Sequence, residues 1–144
     1  GVRGARTAAL GVDPTIGIAV DVGHATDAPG INARLVGEAS LGSGPILHRG
    51  ANFNHRLAER FEKVARKVRI KTQMQPVPNV SGTDANIIQL SRAGGVAVHL
   101  VSVPLRYMHS AVEVLSLKDV EATVRLIGEL ILGLKGDESF VPLR

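Results

Sequence analysis

The chain has 144 residues, of which 44% are hydrophobic, 21% charged and 3% aromatic, with 16 Gly, 7 Pro, no Cys and a formal net charge of +4. A chain this apolar and this weakly charged can offset its ordering entropy, which excludes intrinsic disorder, and its length suits one domain. Lack of cysteine excludes a disulfide scaffold, a Cys-based zinc finger and a thiol nucleophile, and no apolar run reaches the ~20 residues of a membrane span.

Hydrophobic periodicity alternates between helical and extended stretches. Residues 5–10 read as the end of a helix closed by Gly11, with Asp13-Pro14 as a turn. Residues 15–22 (TIGIAVDV) read as a buried strand. Residues 23–37 are polar, with Asp27-Ala28-Pro29-Gly30 as turn chemistry, and predict a loop. A second Gly-rich loop covers residues 41–50 (LGSGPILHRG), with a short strand over 46–48.

Asn54 can cap a helix whose apolar stripe is Leu57, Phe61, Val64, Ala65 and Val68. Residues 69–75 alternate as a half-exposed strand that Pro76 and Pro78 end. Thr83 or Asp84 can cap a helix carrying Ile87, Ile88 and Leu90, closed by Gly94-Gly95. Residues 96–103 (VAVHLVSV) form a strong strand pattern stopped by Pro104. The clearest helix covers residues 118–134, with Val120, Val124, Ile127, Ile131 and Leu134 along one side. This alternation predicts a single α/β layered domain with a largely parallel sheet between helices.

The densest basic stretch, from Lys63 to Lys71, shares its helix with Glu59 and Glu62, and the four aromatic residues are not interleaved with cations. A solvated helix face accounts for it, so nucleic acid is not an expected partner, and neither is a membrane.

In open α/β sheets, functional residues gather at the carboxyl ends of strands. Three segments are expected on such a rim: Asp21 to His24, Ser81 to Asp84, and Arg106 to Ser110. Asp21 interrupts an apolar strand, where a carboxylate is costly unless it binds a cation or is hydrogen-bonded; both readings stand. His109 can ligate a metal through a neutral nitrogen or serve as an ordinary surface or capping histidine. Asp84 can cap its helix. His55 and Glu59 are spaced for a simple side-chain pair and lack the HExxH pattern. His24 and His48 fall in predicted loops where a ligand could touch them, and His99 reads as a satisfied core or surface histidine. LGSGP has no following Lys-Ser/Thr and implies no nucleotide.

Four pieces, VGHATDAPG, LGSGP, SGTDA and VPLRYMHSAVEVLSLKDVEATVRLI, succeed one another in an order and spacing that resemble the TET or glutamyl-aminopeptidase family of co-catalytic metallo-aminopeptidases, some of whose members are labelled endoglucanases. The resemblance covers essentially the whole chain. It implies a zinc-peptidase-like mixed sheet between helices, with residues 1–144 as the C-terminal portion of the catalytic domain and the fold incomplete at its N-terminus.

The resemblance further implies Asp21 as the carboxylate on one metal and His109 as the imidazole on the second. Beside that site, Arg106 is expected either to orient a substrate carbonyl or to pair with a ligand carboxylate, and Gly82, Thr83 and Asp84 are expected to line the specificity pocket. The family chemistry is removal of a peptide's N-terminal residue by a water held between two divalent ions, zinc or cobalt, roughly 3.5–4 Å apart, with a glutamate as general base. No adjacent Glu-Glu pair occurs in this chain. Gly1-Val2-Arg3-Gly4-Ala5 resembles the family's stretch immediately after that pair, so the base is expected upstream of Gly1 and the isolated chain is expected to be inactive. Ala111 also departs from the proline usual after His-Ser.

The resemblance implies a cytoplasmic homo-oligomer, a dodecamer when complete. A non-catalytic scaffold or interaction subunit is the alternative from another class. A glycoside hydrolase needs two carboxylates about 5–10 Å apart, and aromatic platforms that a chain without Trp lacks would help it.

Overall fold

A computed structural model describes residues 2–141 of the chain; Gly1, where the resembling N-terminal stretch opens, lies outside them. The elements in chain order are α1 (Arg3–Val12), β1 (Ile16–His24), α2 (Ala33–Val36), β2 (Ile46–Arg49), α3 (His55–Lys67), β3 (Gln73–Pro76), α4 (Asp84–Gln89), β4 (Ala97–Arg106), β5 (Val114–Leu115) and α5 (Leu117–Leu132). The sheet order is β1-β4-β2-β3, with β5 on β4. β1 pairs with β4 in parallel from Ile16↔Ala97 to His24↔Leu105, and β2 pairs with β3 in parallel. These two ribbons meet antiparallel at Ile46↔Ser102 and Leu47↔Val101. The mixed, mostly parallel α/β layering matches the expected fold class.

The strand period of two separates the faces. Leu47 and Val101 pack with Leu57, Phe61, Val64, Ala65, Leu126 and Leu130 of α3 and α5. Ala19, Val98 and Leu100 pack with Ala85 of α4 and Phe53, and α1 rests on α4.

Local physics moves several boundaries. α1 runs past Gly11 and closes at Asp13, which adopts left-handed φ of 49°. α3 ends in a helix-closing turn at Arg69, φ 57°, with Ile70 N–H on the Ala65 carbonyl at 2.9 Å. Residues 69–72 are therefore not strand, and neither Arg69 nor Lys71 lies on the helix. β4 continues through Pro104 because its nitrogen faces away from β1, into the gap between the last β2 pair at Ser102 and the first β5 pair at Leu105, where no ladder donor is required. In α5 the buried face is Asp119, Thr123, Leu126 and Leu130, whereas Val124 is 66% and Ile131 54% exposed. The periodicity located that helix but not its inner side. Leu90 is likewise exposed and Ala85 is the buried residue of α4.

Candidate active-site rim

β1 and β4 end together, which sets the geometry of the rim. Asp21 pairs with Ser102 in the ladder, His24 pairs with Leu105, and Arg106 then leads to His109. The segments from Asp21 to His24 and from Arg106 to Ser110 therefore share one end of the sheet. Asp21 is exposed, and its Oδ1 accepts the Val22 N–H at 2.8 Å. His109 is also exposed and has φ of 63°, a conformation that L-residues rarely adopt. Tyr107 is similar at 62°. Glu113 supports the turn by accepting the His109 backbone N–H at 2.8 Å.

The segment from Ser81 to Asp84 follows β3, which does not end on this rim. β3 runs antiparallel to β4 and β1, so the chain leaving it starts from the opposite edge. The segment leads into α4. Its carboxyl end is tied to the start of β4 by Val96 N–H on Gln89 O at 3.0 Å, and Ile88 lies over Gly17. Ala85 in its first turn is buried with Ala19, Val98 and Leu100. Thr83, not Asp84, occupies the N-cap position, and its side chain makes no capping bond. The Thr83 hydroxyl instead bonds Ser81 Oγ at 2.7 Å, while Asn52 accepts the Ser81 N–H at 2.7 Å. Asp84 stands in the first helical turn, where a negative charge complements the helix dipole. Gly82 is exposed, with no atom near the position of an added Cβ.

Arg106 is committed within the chain. Its Nε and Nη2 donate to Asp27 Oδ1 and Oδ2 at 2.9 and 2.7 Å, and Asp27 also accepts the Leu41 N–H. The Arg106 hydrogen bonds hold the Asp27 carboxyl below the usual carboxylate range. This fork fixes the 25–41 loop to the end of β4, a role that the turn signal around Asp27 did not reveal.

The histidines divide sharply. His24 is exposed at the end of β1, and its carbonyl accepts Gln75 Nε2 at 3.1 Å. His48 lies in β2 rather than in a loop, is buried, and shares a 2.9 Å hydrogen bond between Nε2 and Ser102 Oγ. That bond runs beneath Gly23, where an added Cβ would come within 2.9 Å of both Ile46 and Ser102. His99 is fully buried but not satisfied, since neither ring nitrogen has a partner and the ring packs against Phe61 and Phe53 at 5.0 and 5.8 Å. Burial pushes His48 down to about 4 and His99 to about 3. His55 and Glu59 make no hydrogen bond or ion pair with each other among the described residues.

Two exposed donors do not make a metal centre. Among the described residues no group of three or more His, Asp or Glu side chains could hold an ion. A two-ion site thus does not fit the donors of these residues alone. No helix among them is long and apolar enough to cross a membrane.

Comparison with known proteins gives this rim its context. The M42 glutamyl aminopeptidase family model matches residues 1–126. The lysyl aminopeptidase of Pyrococcus furiosus is 43% identical over 135 residues, covering 94% of this chain and 38% of that protein. A TET aminopeptidase from the marine sediment archaeon Thaumarchaeota archaeon SCGC AB-539-E09 superposes with a TM-score of 0.86 at 37% identity, over 95% of this chain and 38% of that one. Pyrococcus horikoshii TET1 peptidase, described as assembling into a tetrahedron or a large octahedral shell, gives a TM-score of 0.71 at 30% identity, over 93% and 38%. The chain thus spans about 38% of the length of the relatives it matches.

Proposed function

Because the chain belongs to the M42 glutamyl aminopeptidase family, we propose that it is the C-terminal portion of a two-metal aminopeptidase catalytic domain that releases the N-terminal residue of peptides. The observation that carries this reading is the register of β1 on β4, which sets the Asp21 segment beside the strand leading to His109. In this reading Asp21 and His109 would each supply one ligand to a pair of divalent ions, zinc or cobalt, and the chemistry such ions would supply when bound is Lewis-acid activation of the scissile carbonyl and of a water. The remaining ligands and the general-base glutamate come from outside these 144 residues, as the longer relatives support.

This chain's residues would supply the support. The Ser81–Thr83 hydroxyl pair and Asn52 hold the turn at which Gly82, Thr83 and Asp84 face the bound peptide. Asp27 keeps Arg106 extended at the rim, and Glu113 holds the turn that presents His109. The complete enzyme is a cytoplasmic homo-oligomer in this reading, in keeping with the shells described for the horikoshii peptidase.

The test is calorimetric titration of the 144-residue chain with zinc or cobalt, beside an aminoacyl-anilide assay. The chain alone should show no turnover, and activity should return on adding the complementary part of the polypeptide. In the complete protein, His109→Asn should lower metal content while leaving the fold intact, because Asn tolerates left-handed φ. Tight binding of two ions with turnover by the chain alone, or unchanged metal content in the Asn variant, would refute the assignment.

A further inference from the structure

We propose that a cavity between the 42–44 loop, the 69–71 turn and the first turns of α5 binds a small, multiply charged phosphate anion of the di- or triphosphate class. The cavity holds about 340 Å³ and is lined by four cations, Arg69, Lys71, Lys118 and Arg125. Among the described residues none of the four has a carboxylate within ion-pair distance, whereas Arg49, Arg60, Arg66, Arg92 and Arg106 all do. Two carboxylates also line it, Asp119 and Glu121, leaving positive charge in excess. Asp119 is buried and already engaged, its two oxygens accepting the Gly42 and Gly44 N–H groups at 2.7 and 2.8 Å.

The wall is rigid before any ligand arrives. Gly44 sits at φ 89°, and a Cβ there would stand 1.8 Å from the Lys71 carbonyl oxygen, so the loop and the turn touch backbone to backbone. Gln73 locks the same loop by donating to Ser40 O and Gly44 O at 3.0 and 2.8 Å. Arg125 is steadied by the Val68 carbonyl at 3.4 Å. The four cations themselves are exposed on this fixed backbone frame. The volume falls at the small end of the roughly 300–1,000 Å³ range of small-molecule sites. That suits a compact anion better than an extended acidic peptide. Guanidinium forks match phosphate oxygens, with lysines adding point charge.

The proposal is independent of the peptidase reading and is tested on the 144-residue chain itself. Tripolyphosphate titrated at low salt should bind saturably at one site. Lys71→Gln with Lys118→Gln should weaken it about tenfold or more. The control is Lys63→Gln with Lys67→Gln at a second basic hollow of about 290 Å³, where Arg60 is already paired with Glu138 at 3.0 Å. It removes the same charge and should change affinity little. Circular dichroism verifies that both variants fold. Absence of saturable binding, equal losses in both variants, loss confined to the control, or tighter binding of hexaglutamate than of tripolyphosphate would each overturn the proposal.

Discussion

A buried imidazole with no partner is the least comfortable group in this molecule, and the fold contains two histidines short of partners. His99 has no hydrogen bond at either ring nitrogen, and His48 has one, between Nε2 and Ser102 Oγ. Unfolding returns both to ordinary values near 6.5, while in the fold burial holds His48 at about 4 and His99 at about 3. The unfolded chain therefore binds more protons below pH 6.5, and stability that is complete above that value is lost as pH falls toward 4 and then 3. By pH 5 the loss is about 2 kcal/mol per imidazole. Urea denaturation from pH 7.5 to 4.5 should show that slope. His99→Leu removes the polar group without opening a large cavity, so it should raise stability by about 1 kcal/mol at neutral pH and flatten the acid limb. An unchanged slope in that variant would locate the titration elsewhere. The sequence placed His99 inside a strand, but no single residue can announce that both of its ring nitrogens will go without partners.

Among the elements, α3 was the most legible, since its cap and its stripe were both written into the sequence. Asn54 Oδ1 accepts the Leu57 N–H at 3.0 Å, and Leu57, Phe61, Val64 and Ala65 are buried. The tertiary half of the Asn54 story was invisible: its Nδ2 donates to the Phe140 carbonyl at 2.7 Å, a partner far along the chain. Asn54→Asp keeps the cap but loses the donor, whereas Asn54→Ala loses both. The Ala variant should cost about 1 kcal/mol more than the Asp variant. Both should speed amide exchange near Phe140; protection there in either variant would deny the tether. α5 shows the opposite limit. Its apolar residues nearly encircle it, so spacing could not tell the face against the sheet from the one left at 66% and 54% exposure at Val124 and Ile131. What fixes its orientation is Asp119, a buried carboxylate that the 42–44 loop grips, and no helical period reports such a contact.

Across the whole molecule, strand direction was the feature least readable from sequence. Alternation of helices and strands carries no sign for which strands run against the others: the SGTDA turn does follow β3, but β3 ends at the opposite end of the sheet from β1 and β4. Among the described residues nothing pairs with the outer edge of β1, and Val20 on that strand is 58% exposed. An open edge of this kind templates association. Val20→Lys should reduce concentration-dependent light scattering while changing the denaturation midpoint little; unchanged scattering would place the sticky surface elsewhere. The two parallel ribbons are joined by a seam only two rungs long, Ile46↔Ser102 and Leu47↔Val101. One of those rungs ends on the ladder neighbour of Asp21. The Ser102 rung, together with the His48 bond to the same residue, thus carries the tie between the second ribbon and the strand position beside Asp21.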